Sequence, residues 1–139
     1  MAGVRIVLDT QVWLDWLVFD DPSVGPLREA QVAGRVEIVI DEPCEAELVR
    51  VLAYDLGKYS LEADEQTHCI ARCRSVSRRV PTGTPGELPQ CKDPDDQKFL
   101  ELAAGAGARY LISKDQALLA LAPRVSRFRI VAPRDCAEL

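Results

Sequence analysis

Four carboxylates in this chain stand where ordered backbone should begin or end, and together they could hold a divalent cation. Asp9 closes the apolar run Val4-Arg5-Ile6-Val7-Leu8, and Asp115 follows the run Tyr110-Leu111-Ile112-Ser113-Lys114. Asp96 opens the helical segment Asp95-Asp96-Gln97-Lys98-Phe99-Leu100, and Glu47 lies on a helix that follows a second apolar run. In an open parallel sheet, ligands bind beyond the carboxyl ends of the strands, so side chains far apart in sequence can meet there. Gathered anions repel one another unless a positive charge lies among them. A divalent metal ion held by oxygen ligands is the simplest such charge.

Each carboxylate has an ordinary competitor for its role. Asp is a favoured N-cap at a strand-to-helix junction, which by itself accounts for Asp9 or Asp115. Two of them at the ends of different strands are harder to dismiss that way. Asp96 shares a helical stripe with Phe99, Leu100 and Ala103, which sets a carboxylate one turn ahead of a core aromatic, at the rim of the apolar layer. Asp95 suits a solvated cap, and Asp93 suits holding the turn at Pro94. On the Glu47 helix the apolar stripe is Cys44, Leu48, Val51 and Leu52, with Glu47 on one edge and Glu45 on the other. Periodicity does not choose between those two glutamates.

The elements that must position these groups follow from patterning. Residues 4–8, 36–40, 108–112 and 128–131 read as strands, short apolar runs rich in β-branched side chains. Helices are expected over 10–19, from a Ser23 cap with Pro26 in the first turn to Gly34, from an Asp41 cap with Pro43 near the start to about Tyr54 or Asp55, over 60–79, over 94–104 up to Gly105 and Gly107, and over 116–121. The stretch 81–89 holds too much Pro and Gly for regular structure. Strands separated by helices imply a mostly parallel sheet of four or five strands with right-handed crossovers and helices on both faces, a three-layer α/β/α architecture.

Bulk properties narrow the function classes. A chain of 139 residues, 47% hydrophobic and 28% charged, is one ordinary globular domain. No twenty-residue apolar stretch and no leader pattern is found, so a cytoplasmic protein without a membrane span is expected. Five cysteines, odd in number and lacking any Cys-x-x-Cys pair, suit reduced thiols rather than zinc or disulfides. The formal charge of -5 argues against broad electrostatic attraction to nucleic acid, though a metal could neutralise part of it locally. Arg72, Arg74, Arg78 and Arg79 gather the basic charge, more plausibly on a solvated helix face than on a phosphate-binding patch. The single histidine, His68, sits mid-helix among polar residues, and no nucleophile elbow, phosphate-binding Gly-rich loop or dinucleotide fingerprint is present. Ser-His and Cys-His nucleophiles are thereby disfavoured.

With these residues in place, the sequence resembles the PIN-domain family, small metal-dependent ribonucleases that include the toxins of VapBC-type toxin–antitoxin pairs. The resemblance runs from Val4 to about Pro133 and rests on four motifs in order: Ile6-Val7-Leu8-Asp9-Thr10-Gln11-Val12, Glu47-Leu48-Val49-Arg50-Val51-Leu52, Asp93-Pro94-Asp95-Asp96-Gln97-Lys98-Phe99-Leu100, and Tyr110-Leu111-Ile112-Ser113-Lys114-Asp115. Each motif is weak alone; their order and spacing together are specific. The resemblance implies a PIN-like fold and selects Glu47 over Glu45. It further implies that Asp9, Glu47, Asp96 and Asp115 hold one or two Mg²⁺ or Mn²⁺ ions, with Asp93 outside them and with Thr10 and Ser113 hydrogen-bonding a carboxylate or a water. It implies an RNA substrate, a small antitoxin whose tail enters the acidic groove, and a homodimer. Trp13, Trp16 and Phe19 are candidates for that dimer interface, although core packing is the more ordinary reading for at least two of them.

The family usually has Asp-Thr-Asn where this chain has Asp9-Thr10-Gln11. The longer Gln11 side chain need not reproduce an asparagine's hydrogen bond to Asp9. That departure favours one alternative, a catalytically silent relative that binds a protein partner. Another is a different metal-dependent phosphoryl hydrolase, or a receiver-like phosphoacceptor, for which only Asp9 and Lys114 come near the required pattern.

Overall fold

A computed structural model of the chain describes residues 3–137 and 139. Five strands, β1 (Val4–Leu8), β2 (Val36–Ile40), β3 (Ser77–Arg79), β4 (Tyr110–Ile112) and β5 (Arg129–Val131), pair in parallel in the order β3-β2-β1-β4-β5. Among the described residues six α-helices flank this sheet: α1 (Thr10–Leu17), α2 (Gly25–Val32), α3 (Glu42–Leu52), α4 (Ala63–Val76), α5 (Gln97–Gly105) and α6 (Gln116–Leu119). The fold is a three-layer α/β/α sandwich. Parallel strands covered on both faces read as continuous apolar runs, and Ile6, Val7 and Leu8 are at most 1% exposed.

Strand order fixes where a site can form. From β1 the chain builds outward through β2 to β3, then returns to the other side of β1 to add β4 and β5. The order therefore reverses between β1 and β4, and the crevice beyond their carboxyl ends is where open α/β sheets bind ligands.

Local differences from the patterning have physical causes. The helix expected over 60–79 begins at Ala63 behind a capping box in which Glu62 and Glu65 satisfy each other's backbone N–H groups. It stops at Val76, because Ser77 turns extended (φ -126°, ψ 161°) and Ser77 to Arg79 pair with Ile38 to Ile40. Three polar residues carry no hydrophobic alternation, so this edge strand is invisible to pattern, and its exposed arginines suit an edge. Ser23 does not cap the second helix: Asp21 accepts from Ser23 N (2.9 Å) to start a 3-10 turn over Pro22–Val24, and α2 begins after it. Gly34 (φ 75°) follows α2 in the left-handed conformation that a helix terminator adopts. Helix α1 ends at Leu17, α3 ends at Leu52, and residues 94–96 form a 3-10 turn before α5.

The core absorbs the aromatic residues of α1. Trp13 (2% exposed) and Trp16 (5%) are buried with ring centroids 6.1 Å apart, so neither can serve a dimer interface. Phe19 is half-buried, edge-on to Tyr59 at 5.0 Å. All five cysteines are buried and free. Among the described residues no helix is long and apolar enough to cross a membrane.

Candidate active site

The register of β1 against β4 places the first two site residues side by side. Leu8 pairs with Ile112, so the next residues, Asp9 and Ser113, leave adjacent strands together, with Asp9 N donating to Ile112 O at 3.1 Å. The fully buried Ser113 donates its hydroxyl to Asp9 Oδ2 and accepts from Asp115 N at 2.9 Å. Asp9 Oδ1 accepts from Val12 N at 2.9 Å, capping α1. Asp115 Oδ1 accepts from Ala117 N (2.7 Å) and Leu118 N (3.2 Å), capping α6. Both aspartates are therefore true N-caps. Asp9 is 3% exposed. Burial drives its pKa up to about 6, with the charges of Asp115 and Asp15 adding to the rise and hydrogen bonds from Ser113 and Val12 opposing it.

Asp96 differs in kind. It occupies the N-cap position of α5 in αR geometry (φ -90°, ψ -11°), where its side chain caps nothing. Its Oδ2 is buried without a hydrogen-bond partner among the described residues. Burial raises its pKa to about 7, and Asp115, Asp93, Asp9 and Glu47 each raise it further by their charge. An orphaned carboxylate oxygen within the influence of four other acids is costly; a proton relieves it in the metal-free protein, and a hard cation would do so in its place.

Asp9, Asp96 and Asp115 line a cleft of about 220 Å³ together with Thr10, Gln11, Phe99 and Lys114. Glu47 and Asp93 lie outside that lining yet near enough to act on Asp96. Glu47 Oε2 accepts from Thr10 Oγ1 at 3.0 Å and from Lys98 Nζ at 3.1 Å. Exposed Asp93 accepts from Asp95 N at 3.0 Å and starts the 3-10 turn. Glu45 is turned elsewhere: it is 6% exposed and paired with Arg74 (2.7 Å) and Arg79 (3.1 Å), whose guanidinium groups hold its carboxyl below the usual range, Arg74 chiefly through its hydrogen bond.

Among the described residues no three His, Cys, Asp or Glu side chains stand ready as a metal ligand set. The donor chemistry nevertheless fits a hard divalent ion: carboxylate oxygens only, one of them buried and unpartnered. Of the four expected ligands, Asp9, Asp96 and Asp115 share the cleft, whereas Glu47 is engaged by an ammonium.

Gln11 is not among the hydrogen-bond partners of the Asp9 carboxylate, which are Val12 N and Ser113 Oγ. The Gln11 amide donates to Asp15 Oδ1 at 3.2 Å, and Asp15, only 2% exposed, forms an ion pair with Lys114 at 2.6 Å. Pattern alone drew no role for Asp15 or Lys98, and it gave Lys114 one only under the receiver-like alternative. The available signals were an acid inside the apolar run Val12–Leu17 and two lysines embedded in the acidic motifs themselves. The arginine cluster is spent on internal contacts: Arg72 donates to Leu17 O (3.1 Å), Arg74 and Arg79 pair with Glu45, and Arg78 approaches Glu37 at 3.5 Å.

Comparison with known proteins agrees with this architecture. No curated protein sequence matches the chain. A solved structure of VapBC2 from Rickettsia felis, bound to a DNA fragment from its promoter, contains a chain with the same fold. The two superpose with a TM-score of 0.64 at 12% sequence identity, covering 92% of this chain and 98% of that one. Residues 5–117 match the family described as PIN domain, and they include all four acidic positions in question. The protein belongs to the PIN domain family.

Proposed function

We propose that this protein is a divalent-metal-dependent endoribonuclease and the toxin of a type II toxin–antitoxin pair. The observation that carries the reading is Asp96, a carboxylate with a buried, unpartnered oxygen in a cleft shared with Asp9 and Asp115. N-capping explains the other two and leaves this one unexplained. Membership of the PIN domain family and the shared fold with a VapBC2 chain support the nuclease assignment and the antitoxin partner.

Asp9, Asp96 and Asp115 would hold Mg²⁺ or Mn²⁺, with Glu47 as the fourth ligand. Such an ion, when bound, lowers the pKa of a water and neutralises charge developing on a phosphodiester. The chain's own contribution is positioning. Ser113 fixes the Asp9 carboxylate and, through Asp115 N, the start of α6. Thr10 orients Glu47, Phe99 forms an apolar wall of the cleft, and Asp93 lends negative charge from outside it. Lys114, pinned by Asp15, sets a cation at the rim where an RNA phosphate would approach.

The test is cleavage of a generic RNA with Mg²⁺ or Mn²⁺ against an EDTA control. Wild type should cut only with metal, and Asp9→Asn should lose cleavage while keeping its fold by circular dichroism. Full activity in that variant would refute the assignment. One observation favours a silent, partner-binding relative instead: among the described residues no ligand set is ready-made. Its signature would be a thermal midpoint indifferent to Mn²⁺, since an intact site binding the ion only in the folded state must be stabilised by it.

A further inference from the structure

Lys98 is held from three sides at the edge of the acidic cleft. Its ammonium donates to Glu47 Oε2 (3.1 Å) and Asp95 O (2.7 Å), and it lies 5.7 Å from the centre of the Phe99 ring. The side chain is 22% exposed and its Glu47 partner 14%. Thr10 Oγ1 donates to the same Oε2, so both donors converge on one oxygen of the glutamate. Among the described residues Glu47 is thus the one expected ligand whose charge is already matched by a cation, while Asp96, two residues before Lys98, keeps an oxygen with no partner among them. The absence of a ready-made ligand set among the described residues agrees with a glutamate turned to an ammonium.

Resting on the metal-site reading above, we infer that Lys98 is a positioning residue that competes with the divalent cation for Glu47: it acts as a built-in counterion to the glutamate of the metal-free site and must yield Glu47 for the site to load. Both donors use Oε2, yet a divalent cation on either oxygen of the same carboxylate would lie within a few ångströms of the ammonium, and two positive charges that close repel each other strongly. The bond to Asp95 O belongs to the Lys98 segment itself, so the ammonium can stay anchored beside the cleft after it releases Glu47. A merely structural ion pair between α3 and α5 would predict the opposite consequence of its removal, a loss of stability with no gain in metal affinity.

The experiment is Mn²⁺ binding by isothermal titration calorimetry to the full-length protein, comparing wild type, Lys98→Met, Lys98→Arg, Glu47→Gln and the Lys98→Met/Glu47→Gln pair, with circular dichroism confirming that each is folded. Lys98→Met should bind Mn²⁺ about tenfold more tightly than wild type, equivalent to about 1.4 kcal/mol. Lys98→Arg should stay near wild type, and Lys98→Met should have no effect on affinity when Glu47 is already Gln. Unchanged or weaker binding in Lys98→Met, with wild type still binding, overturns this inference alone. The same holds if the tightening persists without Glu47. Absence of Mn²⁺ binding in every variant overturns both this inference and the metal-site reading beneath it.

Discussion

Ser113 donates its hydroxyl to the carboxylate of Asp9, joining the ends of β4 and β1 across 104 residues of sequence. The same oxygen accepts from Asp115 N, so one fully buried hydroxyl sets two of the cleft's acids. Ser113→Ala removes a donor from a buried carboxylate and an acceptor from a backbone N–H. RNA cleavage should fall by about 10–100-fold, the usual effect of removing an outer partner of a metal ligand. Stability should fall by about 1–3 kcal/mol. Single-turnover cleavage and urea melts measure the two, and a variant matching wild type in both would show that Asp9 needs no such partner.

Gln11 replaces the asparagine usual in the family, but in the fold it reaches Asp15 and leaves Asp9 to Val12 N and Ser113. Gln11→Ala strips a donor from the buried Asp15 Oδ1 and should therefore cost about 1–3 kcal/mol of stability. It should leave the Mn²⁺-induced rise in thermal midpoint intact. Loss of that rise would mean that Gln11 does organise the site.

Glu45 and Glu47 provide an internal control on one helix. Glu45 is tied to two arginines whose side chains are 64% and 48% exposed, so Glu45→Gln should cost about 1 kcal/mol or less and preserve cleavage. Glu47→Gln should reduce metal-dependent cleavage by about 100-fold or more, comparable to losing a principal electrostatic group of an active site, with little change in the melting curve. Equal losses of activity in both variants would contradict the assignment of Glu47.

Without metal, the acids should make the fold less stable as pH rises. Asp9 and Asp96 titrate in the folded protein near 6 and 7, above the ordinary value of 3.8. Between those limits the folded state binds more protons than the unfolded one, so unfolding free energy declines with pH. The contribution is fully present below about pH 4 and lost as pH passes through 6 to 7; for Asp9 it is on the order of 3 kcal/mol. Thermal melts in EDTA should fall across that window, and Mn²⁺ should raise the midpoint more at pH 8 than at pH 5. A midpoint rising with pH through that window in EDTA would contradict the raised pKa values.

Much of this arrangement was legible in the sequence because its determinants are local. Apolar runs over 4–8 and 36–40 became β1 and β2 at those residues, and Asp9, Asp41 and Asp115 cap the helices that follow them. Asp96 stood out because its stripe ran into Phe99 and Leu100, and both proved to be core. What pattern did not reveal depends on long-range partners. Ser77 to Arg79 become a strand only because β2 offers an open edge, and Trp13 and Trp16 look available for an interface until the sheet and helices close over them. The Lys98–Glu47 and Lys114–Asp15 pairs join residues 51 and 99 positions apart, beyond the reach of any local periodicity.

The central claim is that Asp9, Asp96 and Asp115 converge on one cation. Anomalous diffraction from a crystal soaked in Mn²⁺ tests it most directly. The account predicts a manganese peak within coordination distance of carboxylate oxygens of both Asp9 and Asp96, with the unpartnered Oδ2 of Asp96 among its ligands. A crystal showing no manganese between those two aspartates, or manganese bound only elsewhere on the surface, would contradict it.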